Sequence, residues 1–98
     1  MVYEDTLHAA ARDDLAGIYN YLDQRSPAGA RPVKIAIERR IRLLADFPFI
    51  APMTEDPGVY ELSMIRHPYR VYYRVEADEV RIVHVRHAAR ERPEPNEF

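Results

Sequence analysis

The apolar residues of this chain change period once, and the change falls at a cluster of prolines. Up to residue 46 they recur every three or four positions, the spacing of one face of an α-helix. After residue 59 they alternate with polar residues, the spacing of a half-buried strand. Between the two lie Pro48, Pro52, Pro57 and Gly58, which interrupt both patterns. A chain of 98 residues patterned this way can bury its apolar faces by packing helices against a sheet around one core. We therefore expect an α+β domain: a short N-terminal strand, then an antiparallel helical hairpin on one face of a small, mainly antiparallel C-terminal sheet.

The helical half divides in two. Val2-Tyr3-Glu4 is a short candidate strand, and Thr6 is a candidate N-cap whose hydroxyl can accept from an orphaned backbone N–H. Leu7, Ala11, Leu15, Ile18 and Leu22 then form a stripe that predicts a helix over residues 7–23. Gly17 weakens that helix by about 1 kcal/mol relative to alanine and leaves room for a close neighbour. Asp23-Gln24-Arg25 reads as a turn. Ser26-Pro27 reads as N-cap and first helical residue, because proline lacks only an N–H that would be orphaned there. Ala30, Val33, Ile37, Ile41 and Leu44 make the second stripe, with Arg39, Arg40 and Arg42 mostly off it. Pro32 must lie in the first turn or kink this helix. Phe47 precedes a proline and should end it.

In the strand half, Tyr60, Leu62 and Met64 alternate with Glu61, Ser63 and Ile65, and His67-Pro68 marks a turn. Residues 69–75 place Val71, Tyr73 and Val75 on one face and Arg70, Tyr72 and Arg74 on the other. Ala77-Asp78 reverses the chain. Residues 80–85 are apolar on both faces, as a central strand requires. Residues 1–92 form the expected domain and 93–98 a polar tail, with the polar, proline-containing stretch from Arg90 to Phe98 expected to fray.

Composition limits function. With no cysteine, neither a disulfide nor a cysteine-based zinc site is available. No apolar run approaches the roughly 20 residues of a membrane span, so a soluble, cytoplasmic protein without membrane contact is expected. His84 and His87 lie three apart on a strand and face opposite ways; no metal or other cofactor is expected. The net charge of -2 hides an asymmetry. Residues 1–65 carry seven Lys/Arg against ten Asp/Glu, residues 66–92 seven Arg against four Asp/Glu, and residues 93–98 two further acids. A basic strand region therefore follows an acidic helical one, either as solvated faces or as a surface for a negative partner.

Taken in order, these signals resemble the ParE/RelE toxins of type II toxin–antitoxin systems, and the plasmid-stabilising ParE branch in particular. The first helix carries Ala11, Asp14-Leu15, Ile18 and Tyr21; the second opens with Ser26-Pro27 and Ala30 and closes with Leu44 and Pro48. Gly58 precedes a strand, Tyr69 to Val75 is the tyrosine-rich strand, and Val85, His87 and Arg90 end the last one. The resemblance spans residues 6–92. Ala51 and Tyr60 depart from it, standing where members often have glycine and arginine.

The resemblance implies one of two activities. A ParE-like toxin inhibits growth by binding DNA gyrase, performs no chemistry itself, and has no catalytic residue. A RelE-like toxin is a ribosome-dependent mRNA endonuclease; here its proton-moving and cationic groups would be His87, Arg70, Arg90 and Glu61. The one lysine (Lys34), the acidic balance and the lack of a C-terminal tyrosine favour the ParE-like activity. A third reading is a non-toxic member that only binds its antitoxin. Candidate target-binding residues are Arg66, Arg70, Tyr72, Arg74, Arg81, His87 and Arg90. The resemblance further implies a ParD-like antitoxin with a ribbon-helix-helix DNA-binding end, so that the toxin alone contacts no DNA. Leu15, Tyr19, Tyr21, Leu22 and Ile35, on or beside the helical stripes, are the candidates to meet that antitoxin.

Overall fold

A computed structural model describes residues 3–98. Strand β1 (Glu4–Leu7) leads into helix α1 (Ala9–Arg25), helix α2 (Pro27–Asp46), then strands β2 (Tyr60–Ser63), β3 (Tyr69–Glu76) and β4 (Glu79–His87). The sheet order is β1-β4-β3-β2; β1 runs parallel to β4, and the other neighbours are antiparallel. This is the expected α+β architecture.

The N-terminal boundaries differ from expectation. Thr6 does not cap α1; it lies inside β1, paired with Arg81, and its hydroxyl donates to Glu79 Oε1 at 2.5 Å. A threonine in a strand can satisfy its hydroxyl across the ladder, and pairing with β4 takes the residues through Leu7 out of the helix. His8 takes the cap position without a side-chain bond. Val2, assigned to the first strand from sequence, lies outside the described residues. Asp23-Gln24-Arg25 is not a turn, because α1 continues through it. The whole reversal falls on Ser26, extended at φ -166° and ψ 108°, whose N–H donates to the Leu22 carbonyl while its Oγ accepts from Gly29 N at 3.1 Å. One residue thus closes one helix and opens the next. Pro32 sits inside α2, past its first turn.

The helices run antiparallel. Lys34 Nζ binds the Asp23 carboxylate at 2.8 Å and lies 5.4 Å from the centre of the Tyr19 ring. Ala11, Leu15, Ile37, Ile41 and Leu44 from the helices meet Leu62, Val71, Tyr73, Val80, Ile82 and Val85 from the sheet in one core. Each fully buried aliphatic or aromatic side chain there contributes about 1.5–3 kcal/mol. Tyr73 spends its hydroxyl on the Pro48 carbonyl at 2.8 Å, which ties the loop after α2 to the central sheet.

A bulge in β4 shapes the second face. Tyr73 pairs with Ile82 and Tyr72 with His84, leaving Val83 as the extra residue. Val83 packs with Val59 and Tyr72 in a smaller cluster on the face away from the helices. The segment 93–98 is not frayed. Pro93 is buried, residues Pro95–Glu97 make a 3-10 turn, and Phe98 packs on that smaller cluster. The aromatic end finds apolar surface there, which outweighs the polar composition before it.

Candidate functional site

The first candidate surface is a groove between α1 and the end of β4. Past Leu7, β1 stops and leaves the edge of β4 to α1. There Asp14 Oδ2 accepts from Val85 N at 3.0 Å and from His84 Nδ1 at 2.8 Å, with Arg86 Nε 3.8 Å away. A carboxylate so placed satisfies a strand N–H that has no ladder partner and locks α1 to the sheet. Beside it opens a cavity of about 590 Å³ lined by Asp13, Gly17, Ile18, Tyr21, Tyr69, His87 and Arg90. Gly17 does not permit close packing, since nothing lies within 4 Å of where its Cβ would be; its missing side chain widens the groove instead. Burial, then the neighbouring Tyr21, pushes the Tyr69 hydroxyl above its ordinary value, so it stays a neutral donor.

His87 packs edge-on against Tyr69, with ring centres 5.3 Å apart, and its Nδ1 accepts from Ala89 N at 3.0 Å. That bond leaves the proton of the neutral ring on Nε2. His87 thus offers a hydrogen-bond donor rather than a base.

The nuclease candidates do not converge. His87 pairs with Tyr69, which is in the helix-facing core, and lines the α1 groove with Arg90. Arg70 is one residue further along β3 and faces away from the helices, as does Glu61 opposite Tyr72. The sheet separates the two pairs. His84 and His87 likewise face opposite ways, and among the described residues no group of three His, Cys, Asp or Glu side chains is placed to hold a metal.

The candidate target-binding residues are also dispersed. Arg70 and Tyr72 share the outer face, where Tyr72 is fully buried and its pKa is raised by burial and then by Glu61. Arg74 donates to the Pro57 carbonyl at 3.2 Å. Arg81 lies at the far end of β4, 3.3 Å from Glu79 and 3.6 Å from Glu76, so its charge is spent within its own hairpin. Arg66 is exposed in the β2–β3 loop beside Ile65, itself 85% exposed.

Among the candidate antitoxin-binding residues, Leu15 is buried and Leu22 half-buried, which makes both chiefly core. Tyr21 and Ile35 are exposed. Tyr19 lines a second groove of about 440 Å³ between the helices, with Arg12, Glu38 and Arg42. Tyr21 lines the first, so the two tyrosines face different grooves.

Two features escaped the sequence. Phe47, Phe49, Ile50 and Met53 form an exposed apolar loop beside β2, with Phe49 edge-on to Tyr60; an apolar run among loop prolines was its signal. The contacts of Asp14 had none, because a carboxylate on a helix looks solvated until a strand edge is placed beside it.

The sequence model of a family described as the ParE toxin of the type II toxin–antitoxin system parDE matches residues 6–92. The fold superposes on a chain of the chromosomal ParDE toxin–antitoxin system from P. aeruginosa, with TM-score 0.76, 25% identity, and coverage of 88% of this chain and 96% of that one. It also matches a chain of the toxin–antitoxin complex RelBE2 from Mycobacterium tuberculosis, with TM-score 0.62 and 22% identity over 89% of this chain and 99% of that one. No curated protein sequence matches it.

Proposed function

Because the chain belongs to the ParE toxin family of type II toxin–antitoxin systems, we propose that it inhibits bacterial growth by binding DNA gyrase in the cytoplasm. In this reading a ParD-like ribbon-helix-helix antitoxin holds it silent. The observation that supports binding over chemistry is the division of the candidate nuclease groups: His87 and Arg90 on the helix side of the sheet, Arg70 and Glu61 on the other. A phosphoryl-transfer centre needs its proton carriers and cations within hydrogen-bond reach of one phosphate. His87, with Nδ1 occupied by a backbone donor, is also no ready base.

The antitoxin would lay an amphipathic segment along the α1 side, where the groove beside Ile18, Tyr21 and Tyr69 combines apolar walls with His87 and Arg90. Induction of the chain alone in bacteria tests this. Growth should stop and should resume when a ribbon-helix-helix partner is co-expressed. Toeprinting on translating ribosomes should detect no new cleavage. Cleavage abolished by His87→Ala would establish the nuclease reading instead, and unimpeded growth would leave only the non-toxic, antitoxin-binding one.

A further inference from the structure

The face of the sheet turned away from the helices is already occupied, by the chain itself. Phe98 sits 5.5 Å from the Tyr72 ring and 6.2 Å from the His84 ring, between centres. The Glu97 carbonyl accepts from His84 Nε2 at 2.9 Å, and its carboxylate lies 3.5 Å from Arg86 Nη2. His84 is almost fully buried, and its Nδ1 lies 2.8 Å from Asp14 Oδ2. The Glu97 carbonyl can only accept, so Nε2 is the donor there and both ring nitrogens are engaged. The seat therefore combines an apolar floor (Val59, Tyr72, Val83), a buried ring N–H aimed at a backbone carbonyl, and an arginine for the acidic side chain.

The resident segment uses this seat incompletely. The resident segment gives the buried Tyr72 hydroxyl no hydrogen bond, and its polar neighbours are Glu61 and Arg70. Glu97 is exposed, and its carboxylate is shared between Arg86 and the Glu94 N–H of its own turn. Contacts of this kind contribute little on an exposed short turn. An occupant that placed an acceptor on Tyr72 would bind better than the one present.

We propose that this outer face is a docking site for an acidic, aromatic-bearing peptide segment of a partner polypeptide, and that residues 94–98 are its displaceable intramolecular competitor. The chemistry of the resident segment, acid followed by aromatic, states what the seat accepts. Arg70 and Arg86 set the complementary charge, while Arg92, held by Asp56 at 3.1 Å, lies 5.9 Å from the centre of the Tyr72 ring. The site lies across the sheet from the α1 groove and does not depend on the toxin reading.

The test uses the full chain and a labelled peptide of the sequence Arg-Pro-Glu-Pro-Asn-Glu-Phe supplied in trans. Glu97→Ala with Phe98→Ala should free the seat and raise peptide affinity at least about tenfold over the unaltered chain, because a tethered competitor at high effective concentration is removed. NMR shifts should fall on Tyr72, Val83 and His84. His84→Gln in the freed background should abolish the gain and Phe98→Ala alone should give part of it, with circular dichroism showing that both variants keep the fold. Equal affinity in freed and unaltered chains would overturn the proposal. So would equal binding of a peptide with alanine for phenylalanine, or preference for an oligonucleotide over the peptide. A concentration-dependent dimer of the unaltered chain that exchanges residues 94–98 would also overturn it.

Discussion

Replacing Asp14 with alanine should be among the most damaging single changes outside the apolar core. Its Oδ2 accepts from the N–H of Val85, which is 1% exposed, and from Nδ1 of His84, which is 5% exposed. Removing the carboxylate leaves both donors without their partner, at about 1–3 kcal/mol each. The expected loss is about 3 kcal/mol, a large share of the roughly 5–15 kcal/mol that holds a domain of this size together. It corresponds to a melting temperature lower by roughly 15 °C. Asp14→Asn keeps one acceptor oxygen but no charge and should lose about 1 kcal/mol. Asp13→Ala, on an exposed neighbour, should stay within about 0.5 kcal/mol. Urea denaturation followed by far-UV circular dichroism and by tyrosine fluorescence, the chain having no tryptophan, gives all three values. The midpoint should move with the slope unchanged. An Asp14→Ala protein as stable as Asp13→Ala would refute the claim that this carboxylate locks α1 to β4.

Three further outcomes follow from other contacts. Tyr73→Phe should cost about 1–2 kcal/mol in the same denaturation experiment, since it leaves the Pro48 carbonyl without its buried donor. Ala77, at φ 53° in the β3–β4 turn, occupies the left-handed region, so Ala77→Gly should stabilise by about 0.5–1 kcal/mol after glycine's own entropy is counted. Burial, then Glu38, pushes the Tyr19 pKa up to about 12. The folded state thus keeps a proton that the unfolded chain releases from about pH 10. That contribution is complete below pH 10 and is lost as pH rises towards 12, so Tyr19→Phe should flatten the alkaline loss of stability, read by melts between pH 9 and 12.

The parts of the fold legible in the sequence were those fixed by period and punctuation. Ile37 and Leu44 lie on a helical stripe and are fully buried, and Val71 and Tyr73 alternate with Arg70 and Tyr72 across the sheet as their spacing requires. Gly58 was legible as the residue before a strand; the physical reason is its φ of 76° and an Arg74 Nη1 that a Cβ would meet at 3.0 Å. What the sequence hid were long-range pairings. Thr6 looks like a cap until β4 arrives beside it with Glu79. Asp23-Gln24-Arg25 looks like a turn because nothing local announces that Ser26 alone can reverse the chain. The segment 93–98 looks frayed because its seat is assembled from residues 59, 72, 83 and 84, which only the sheet brings together. The scatter of the candidate site has the same origin. Adjacent residues on a strand share a sequence motif but not a face, so Arg70 and the partner of His87, Tyr69, end on opposite sides.

The proposed inhibition by binding to gyrase can be read in one reaction: purified chain, DNA gyrase, ATP and relaxed plasmid, resolved on a gel after detergent and protease. Negative supercoiling should be lost and linear plasmid should accumulate as the enzyme is caught on cut DNA, in proportion to added chain and reversed by antitoxin. Full supercoiling with no linear product at saturating chain would contradict it.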